Sequence, residues 1–214
     1  MRLTKHAHSC VEIADGDDRV LIDPGVFTPN AAELIDAAAT ILITHEHPDH
    51  VHAEAVRAAL EERPGLRVIG PEAVVGPWRP DFHAQVHAVA EGDIFTAGAL
   101  EVRVFGRDHA VIHRDLPTFA NVGYLVGGRV YHPGDSYAPP PTDVEVLLVP
   151  VSGPWTKVAD AVELVRAVAP ARLLQIHEAM LSEIGLRSVG RFLSPEGLID
   201  VALEQLDAGE TVEL

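Results

Sequence analysis

The stretch Thr44-His45-Glu46-His47-Pro48-Asp49-His50 decides how this chain is read. It sits directly after residues 39–44, Ala-Thr-Ile-Leu-Ile-Thr, a continuous apolar and β-branched run of the kind that forms a strand buried on both faces. A helix is expected straight after it, over residues 52–62, closed by Pro64-Gly65. Histidines at i and i+2 that leave a strand end can converge on one ion. The Asp-His pair two residues later can turn toward a second ion nearby. The competing reading is a solvated, pH-sensitive surface loop. A metal centre needs at least three protein ligands, so this reading demands more histidines or carboxylates just past other strands.

The rest of the chain supplies them. His109 follows an apolar alternation over 100–105, Asp135 follows a strand ending at His132 through Pro133-Gly134, and His177 follows Arg172-Leu173-Leu174-Gln175-Ile176. Ligands gathered from the same ends of several strands are how a layered α/β fold builds a site along one edge. His113 competes with His109 for the same role, and His109 is preferred because it lies nearer the strand end. Asp23, at the end of Leu21-Ile22, is placed to fix a ligand imidazole through its other nitrogen. His8 is expected either at the mouth of the site or as a satisfied structural histidine, and Cys10 as a small buried apolar group.

Around these positions the pattern predicts a hairpin over 9–23 turning at Asp15-Gly16-Asp17-Asp18 and a short helix over 30–39. A strand is expected over 66–70, and residues 71–130 read as an antiparallel meander. Strands over 129–132, 144–149 and 211–214 and helices over 160–168, 178–184 and 195–206 complete the reading. Strands inside and helices outside in both halves predict an α/β fold with four αββα layers, in one domain over residues 1–214.

Composition agrees with a folded chain. Its 214 residues are 47% hydrophobic and 22% charged, enough apolar material for a sizeable core. With 16 basic and 32 acidic side chains the net charge is −16, which argues against duplex nucleic acid as a partner. A small-molecule substrate is expected instead, and self-association is compatible with the sequence. One cysteine, no apolar signal-peptide core and no run long enough to span a bilayer lead to the expectation of a cytoplasmic protein without a membrane segment. Histidine stands out, with 12 copies.

These motifs together resemble the metallo-β-lactamase-fold hydrolases, in the compact branch of ascorbate-6-phosphate lactonase-like and metal-dependent hydrolase proteins. Besides the 45–50 string the resemblance rests on His8-Ser9-Cys10, Leu21-Ile22-Asp23-Pro24-Gly25 and Tyr131-His132-Pro133-Gly134-Asp135-Ser136. Leu147-Leu148-Val149-Pro150-Val151-Ser152-Gly153 and Ala208-Gly209-Glu210 continue it, in matching order. It implies one metal on His45, His47 and His109, a second on Asp49, His50 and His177, and Asp135 between them. The implied cofactors are two divalent ions, zinc first, with manganese and iron as alternatives. The implied activity is hydrolysis of a small ester, lactone or phosphoester by a metal-bridging hydroxide that Asp49 orients and for which it shuttles the proton. A nucleotide phosphodiesterase and a non-catalytic metal-dependent sensor on the same fold are the alternative readings. Substrate contacts are expected from His113, Arg114, Trp155 and Lys157, the two cations pointing to a phosphate or carboxylate if they reach the pocket.

Overall fold

Alternation of apolar and polar residues in the first 22 positions makes three short antiparallel strands, β1 (Arg2–Lys5), β2 (Val11–Asp15) and β3 (Asp18–Ile22). The computed structural model describes residues 1–214 and continues with α1 (Ala31–Ala37), β4 (Thr40–Leu42), α2 (Ala53–Glu62) and β5 (Arg67–Gly70). Two single-turn helices, α3 (Glu72–Val75) and α4 (Arg79–Phe82), lead into β6 (Val86–Ala88). The second half runs β7 (Ile94–Ala97), β8 (Leu100–Phe105), β9 (Gly123–Val126), β10 (Val130–His132), β11 (Val146–Pro150) and α5 (Val158–Val168). It ends with β12 (Arg172–Ile176), α6 (Glu183–Phe192), β13 (Leu203–Glu204) and β14 (Thr211–Glu213).

The strands form two seven-stranded sheets, in the orders β14-β1-β2-β3-β4-β5-β6 and β13-β12-β11-β10-β9-β8-β7. Leu3, Ile13 and Ile22 of the first sheet pack on Val102, Val126 and Leu148 of the second, and this apolar interface is the central core. On the outer face of the first sheet, Ile35 of α1 and Val56 and Leu60 of α2 cover Ile41 and Val68. Val162 and Val165 of α5 and Val189 of α6 cover Leu147 and Leu173 on the other side. Four αββα layers result, as the sequence predicts. The parallel segments β3-β4-β5 and β10-β11-β12 point their carboxyl ends at one common edge, where the histidines collect. No helix is long and apolar enough to cross a membrane.

Three expectations need correction. Residues 71–82 are not part of a meander: Pro71 opens α3, Gly76-Pro77-Trp78 forms a 3₁₀ turn, and this crossover makes β6 parallel to β5. The antiparallel meander begins only at β7. The helix expected over 178–184 starts late, at Glu183, because the left-handed backbone of His177 (φ 62) turns the chain and Ser182 caps α6 by accepting from Gly185 N. The helix expected over 195–206 is replaced by turns and β13, which pairs in parallel with β12, Leu203 opposite Leu173. There the open edge of β12 outweighs local helix propensity.

Candidate metal centre

The 43–52 segment leaves β4 as a tight loop whose second residue, Thr44, is fully buried and bound to Asp23 at the end of β3. Asp23 Oδ1 accepts from Thr44 N (2.7 Å), and Oδ2 accepts from the Thr44 hydroxyl (2.7 Å) and from His50 Nδ1 (2.6 Å). With its Nδ1–H donated to Asp23, His50 turns Nε2 toward the centre, where a bound cation would take its lone pair. The same device recurs twice. His45 Nδ1 lies 3.0 Å from Thr44 Oγ1, and His109 Nδ1 lies 2.5 Å from the Ala110 carbonyl, so both rings aim Nε2 inward. On the far wall, Asp135 N donates to Asn121 Oδ1 (3.0 Å), and Asn121 Nδ2 donates to the Pro133 carbonyl (2.9 Å), fixing the loop after β10.

Two glycines allow this close assembly. A Cβ on Gly25 would overlap the Asp49 carbonyl, and a Cβ on Gly134, at φ 62, would overlap Asn121 and Thr44. Three of the four non-glycine residues with left-handed backbone, His8, Asp23 and His177, are at this centre. Each such residue costs about 1–3 kcal/mol of strain, and such strain gathers at functional sites.

The side chains fall into two groups with ligand atoms within 4.8 Å of one another: His45, His47, His109 and Asp135, and His8, Asp49, His50 and His177. Asp135 touches both. Its Oδ1 is 3.1 Å from His50 Nε2, and its Oδ2 is 3.1 Å from His177 Nε2, 3.2 Å from His109 Nε2 and 3.6 Å from His45 Nε2. Yet His50 Nε2, His109 Nε2, both ring nitrogens of His177 and Asp135 Oδ1 are buried without an aligned hydrogen bond. Buried polar atoms are rarely left so. Convergent imidazole nitrogens around a carboxylate, with the rings of His45, His50 and His109 anchored from behind, fit divalent cations and fit little else.

The electrostatics follow from that crowding. Burial pushes His45 well below the ordinary imidazole range, and neighbouring His50 lowers it further. Burial also opposes charge on His50, but Asp135 and Asp23 outweigh it and hold its pKa well above the usual value. Asp49 and Asp135 are pushed up by burial but held below the carboxylate range by the histidines around them, His177 and His8 for Asp49 and chiefly His50 for Asp135.

Residues 2–177 match the beta-lactamase superfamily domain. The chain belongs to the β-lactamase superfamily. Relatives include Protein Rv0786c of Mycobacterium tuberculosis, 39% identical over 191 residues that span 85% of this chain and 86% of the relative. The UPF0173 metal-dependent hydrolase of Aeropyrum pernix is 28% identical over 201 residues, 77% of this chain and 78% of the relative. Among solved structures, Igni18, a metallo hydrolase from Ignicoccus hospitalis, shares the fold with a TM-score of 0.73 at 19% identity, covering 99% of this chain and 97% of that one.

Within this superfamily fold, His45, His47, Asp49, His50, His109, Asp135 and His177 are brought together. Asp23 lies behind them, in contact with His50. His109, not His113, joins the centre; the His113 side chain is 58% exposed, and its Nδ1 accepts from Asp115 N. Arg114 is solvated beside Asp115 and Lys157 is exposed, so neither touches the metal groups. Trp155 is buried, its ring edge-on to His109 and His177 with centroids 5.5 Å from each. His113, Arg114, Trp155 and Lys157 share an open groove of about 390 Å³ beside the centre. Sequence reasoning gave no role to Thr44, Asn121 or Phe119, whose ring packs on His47. Thr44 had a signal, its place between a buried strand and the first histidine; Asn121 and Phe119, in a loop before β9, had none.

Proposed function

We propose that this chain is a binuclear metal-dependent hydrolase that cleaves a small ester, lactone or phosphoester. The observation that carries the reading is Asp135, one buried carboxylate lying 3.1–3.6 Å from imidazole nitrogens of both ligand groups. When bound, two divalent ions supply hydroxide near neutral pH and polarise the oxygen of the bond under attack. Imidazoles with carboxylates suit zinc first, with manganese and iron as alternatives.

The protein's own groups do the rest. Asp49 is the acid of the centre that reaches solvent, its side chain 21% exposed, and it takes and returns the proton as attack and leaving-group departure proceed. His47 is half-buried beside it, so substrate meets the centre on the side of these two residues. Trp155 and Phe119 wall the site with apolar rings and limit water access. The setting assumed is a small molecule in the cytoplasm, with the catalytic unit as one domain.

Elemental analysis of untagged protein tests the reading. Close to two ions per chain in the wild type, with fewer in Asp135→Ala, is the expected result; wild type that neither retains nor rebinds metal overturns it. A nucleotide phosphodiester is the second reading for substrate, favoured by Arg114 and Lys157 on the groove beside Trp155. Turnover of a chromogenic phosphodiester with none of lactones would select it.

A further inference from the structure

Proximity alone would make ligands of all four members of the second group, His8, Asp49, His50 and His177. Their hydrogen bonds separate them. His50 and His177 each keep an Nε2 without an aligned partner, whereas both ring nitrogens of His8 are engaged. Ala179 N donates to His8 Nδ1 (3.4 Å), and His8 Nε2 lies 3.1 Å from Asp49 Oδ2. A backbone amide only donates, so Nδ1 holds the lone pair and the neutral ring carries its proton on Nε2, where it donates to a carboxylate that only accepts.

Behind His8 stands a largely buried ion pair, its Glu178 side chain 18% exposed. Glu178 Oε1 accepts from Lys5 Nζ (2.7 Å) and from His8 N (2.9 Å), and the Lys5 side chain is 2% exposed. Glu178 follows His177 directly, and His177 N donates to the His8 carbonyl (3.1 Å), with the two rings 3.8 Å apart at their centroids. His8 and His177 both sit in the left-handed region, at φ 56 and φ 62. Such backbone persists only where its surroundings over-determine it. Lys5 is itself held from both sides, its N donating to the Glu210 carbonyl and its carbonyl accepting from Gly209 N. A buried ion pair is a poor source of stability compared with apolar packing, so a positioning task accounts for it better.

We propose that His8 is not a metal ligand but an N–H donor that fixes the Asp49 carboxylate, and that the Lys5–Glu178 pair is the clamp that holds His8 against His177. The role of His8 rests on the reading of Asp49 given above. Donation to Oδ2 stops the carboxylate from rotating and leaves Oδ1 for the reaction. Lys5, His8 and Glu178 are positioning residues.

Cadmium-113 loading of protein labelled with nitrogen-15 at histidine reads each ring nitrogen. Cadmium coupling is expected at His50 and His177 and not at His8, whose shifts should be those of a neutral Nε2–H ring with and without the metal. Coupling at His8, or an Nδ1–H ring in the metal-free protein, overturns the assignment. Protein that takes up no cadmium but shows the Nε2–H ring refutes the metal reading while leaving the tautomer of His8 supported, so the two failures are distinguishable. The clamp is tested with Lys5→Met/Glu178→Leu, which removes both charges together and leaves neither buried alone. It is expected to mix the His8 tautomers and weaken cadmium at the second group by about tenfold or more, sparing the first. Glu178→Asp keeps the charge, shortens the reach and should disturb the same His8 signal at smaller cost to folding. A His8 signal and second-group affinity untouched in both variants overturn the clamp.

Discussion

The floor of the centre and its rim are built in opposite ways. On the floor, His45, His50 and His109 each have Nδ1 anchored, and Asp23, Thr44 and Asp135 are buried with them. On the rim, His113 and Arg114 are solvated, with Asp115 as their polar neighbour, and Lys157 is exposed with no ion-pair partner. Trp155 stands between the two, its ring on the floor histidines and its edge on the groove. The difference separates tasks. A rigid floor holds chemistry that tolerates little displacement, while a loosely tied rim can change its side chains without disturbing that chemistry.

If this contrast holds, substitutions on the floor should cost stability even without metal. Asp23→Ala removes an acceptor for three buried hydrogen bonds. In chelator-treated protein it should lower unfolding free energy by about 3 kcal/mol or more, measured by urea denaturation. A loss below about 1 kcal/mol would show that the floor is held by metal alone. Trp155→Ala probes the boundary: with its ring buried against His109 and His177, the variant should lose about 3 kcal/mol and admit water to the centre. A loss no larger than that of a surface substitution would move Trp155 to the rim.

A third probe lies beneath the floor. Burial pushes the Cys10 thiol up to about 12. The unfolded thiol ionises near pH 8.5, so between about pH 8.5 and 12 the native state binds more protons and Cys10 contributes a loss of stability of up to about 1.4 kcal/mol per pH unit as pH rises. Stability should therefore fall less steeply with alkaline pH in Cys10→Ala, and the native thiol should resist disulfide reagents until the protein unfolds. Equal slopes would refute the burial effect. The smallest effects belong to the rim: Lys157→Ala and Arg114→Ala should leave stability within about 0.5 kcal/mol of wild type and should raise KM only for anionic substrates. Equal KM values for neutral and anionic substrates would remove the groove from substrate binding.

Much of this was legible in residues 44–50, because strand-end histidines at close spacing need few long-range facts to be understood. Asp23, Asp135, His109 and His177 were legible for the same reason, each lying just past an apolar run that the fold aligns at one edge. What was not legible depends on partners far away in sequence. Glu178 looked like the start of a helix; its place is set by Lys5 and by the main chain of His8, some 170 residues distant. The 195–206 segment was misread in the same way, since the β12 edge that draws Leu203 into a sheet cannot be seen locally. Helix propensity describes a segment alone, and these segments are never alone.

The contact between His8 and the 177–179 turn has a consequence for biosynthesis. The residues of the first group, His45, His47, His109 and Asp135, all precede residue 136, but the second group cannot close until the chain has grown past Glu178. During vectorial synthesis the imidazoles of the first group are thus made well before the distal partner that His8 and His50 await. Assembly of the catalytic edge is in this sense a late checkpoint, reached only when the amino-terminal strands and the last third of the polypeptide have docked.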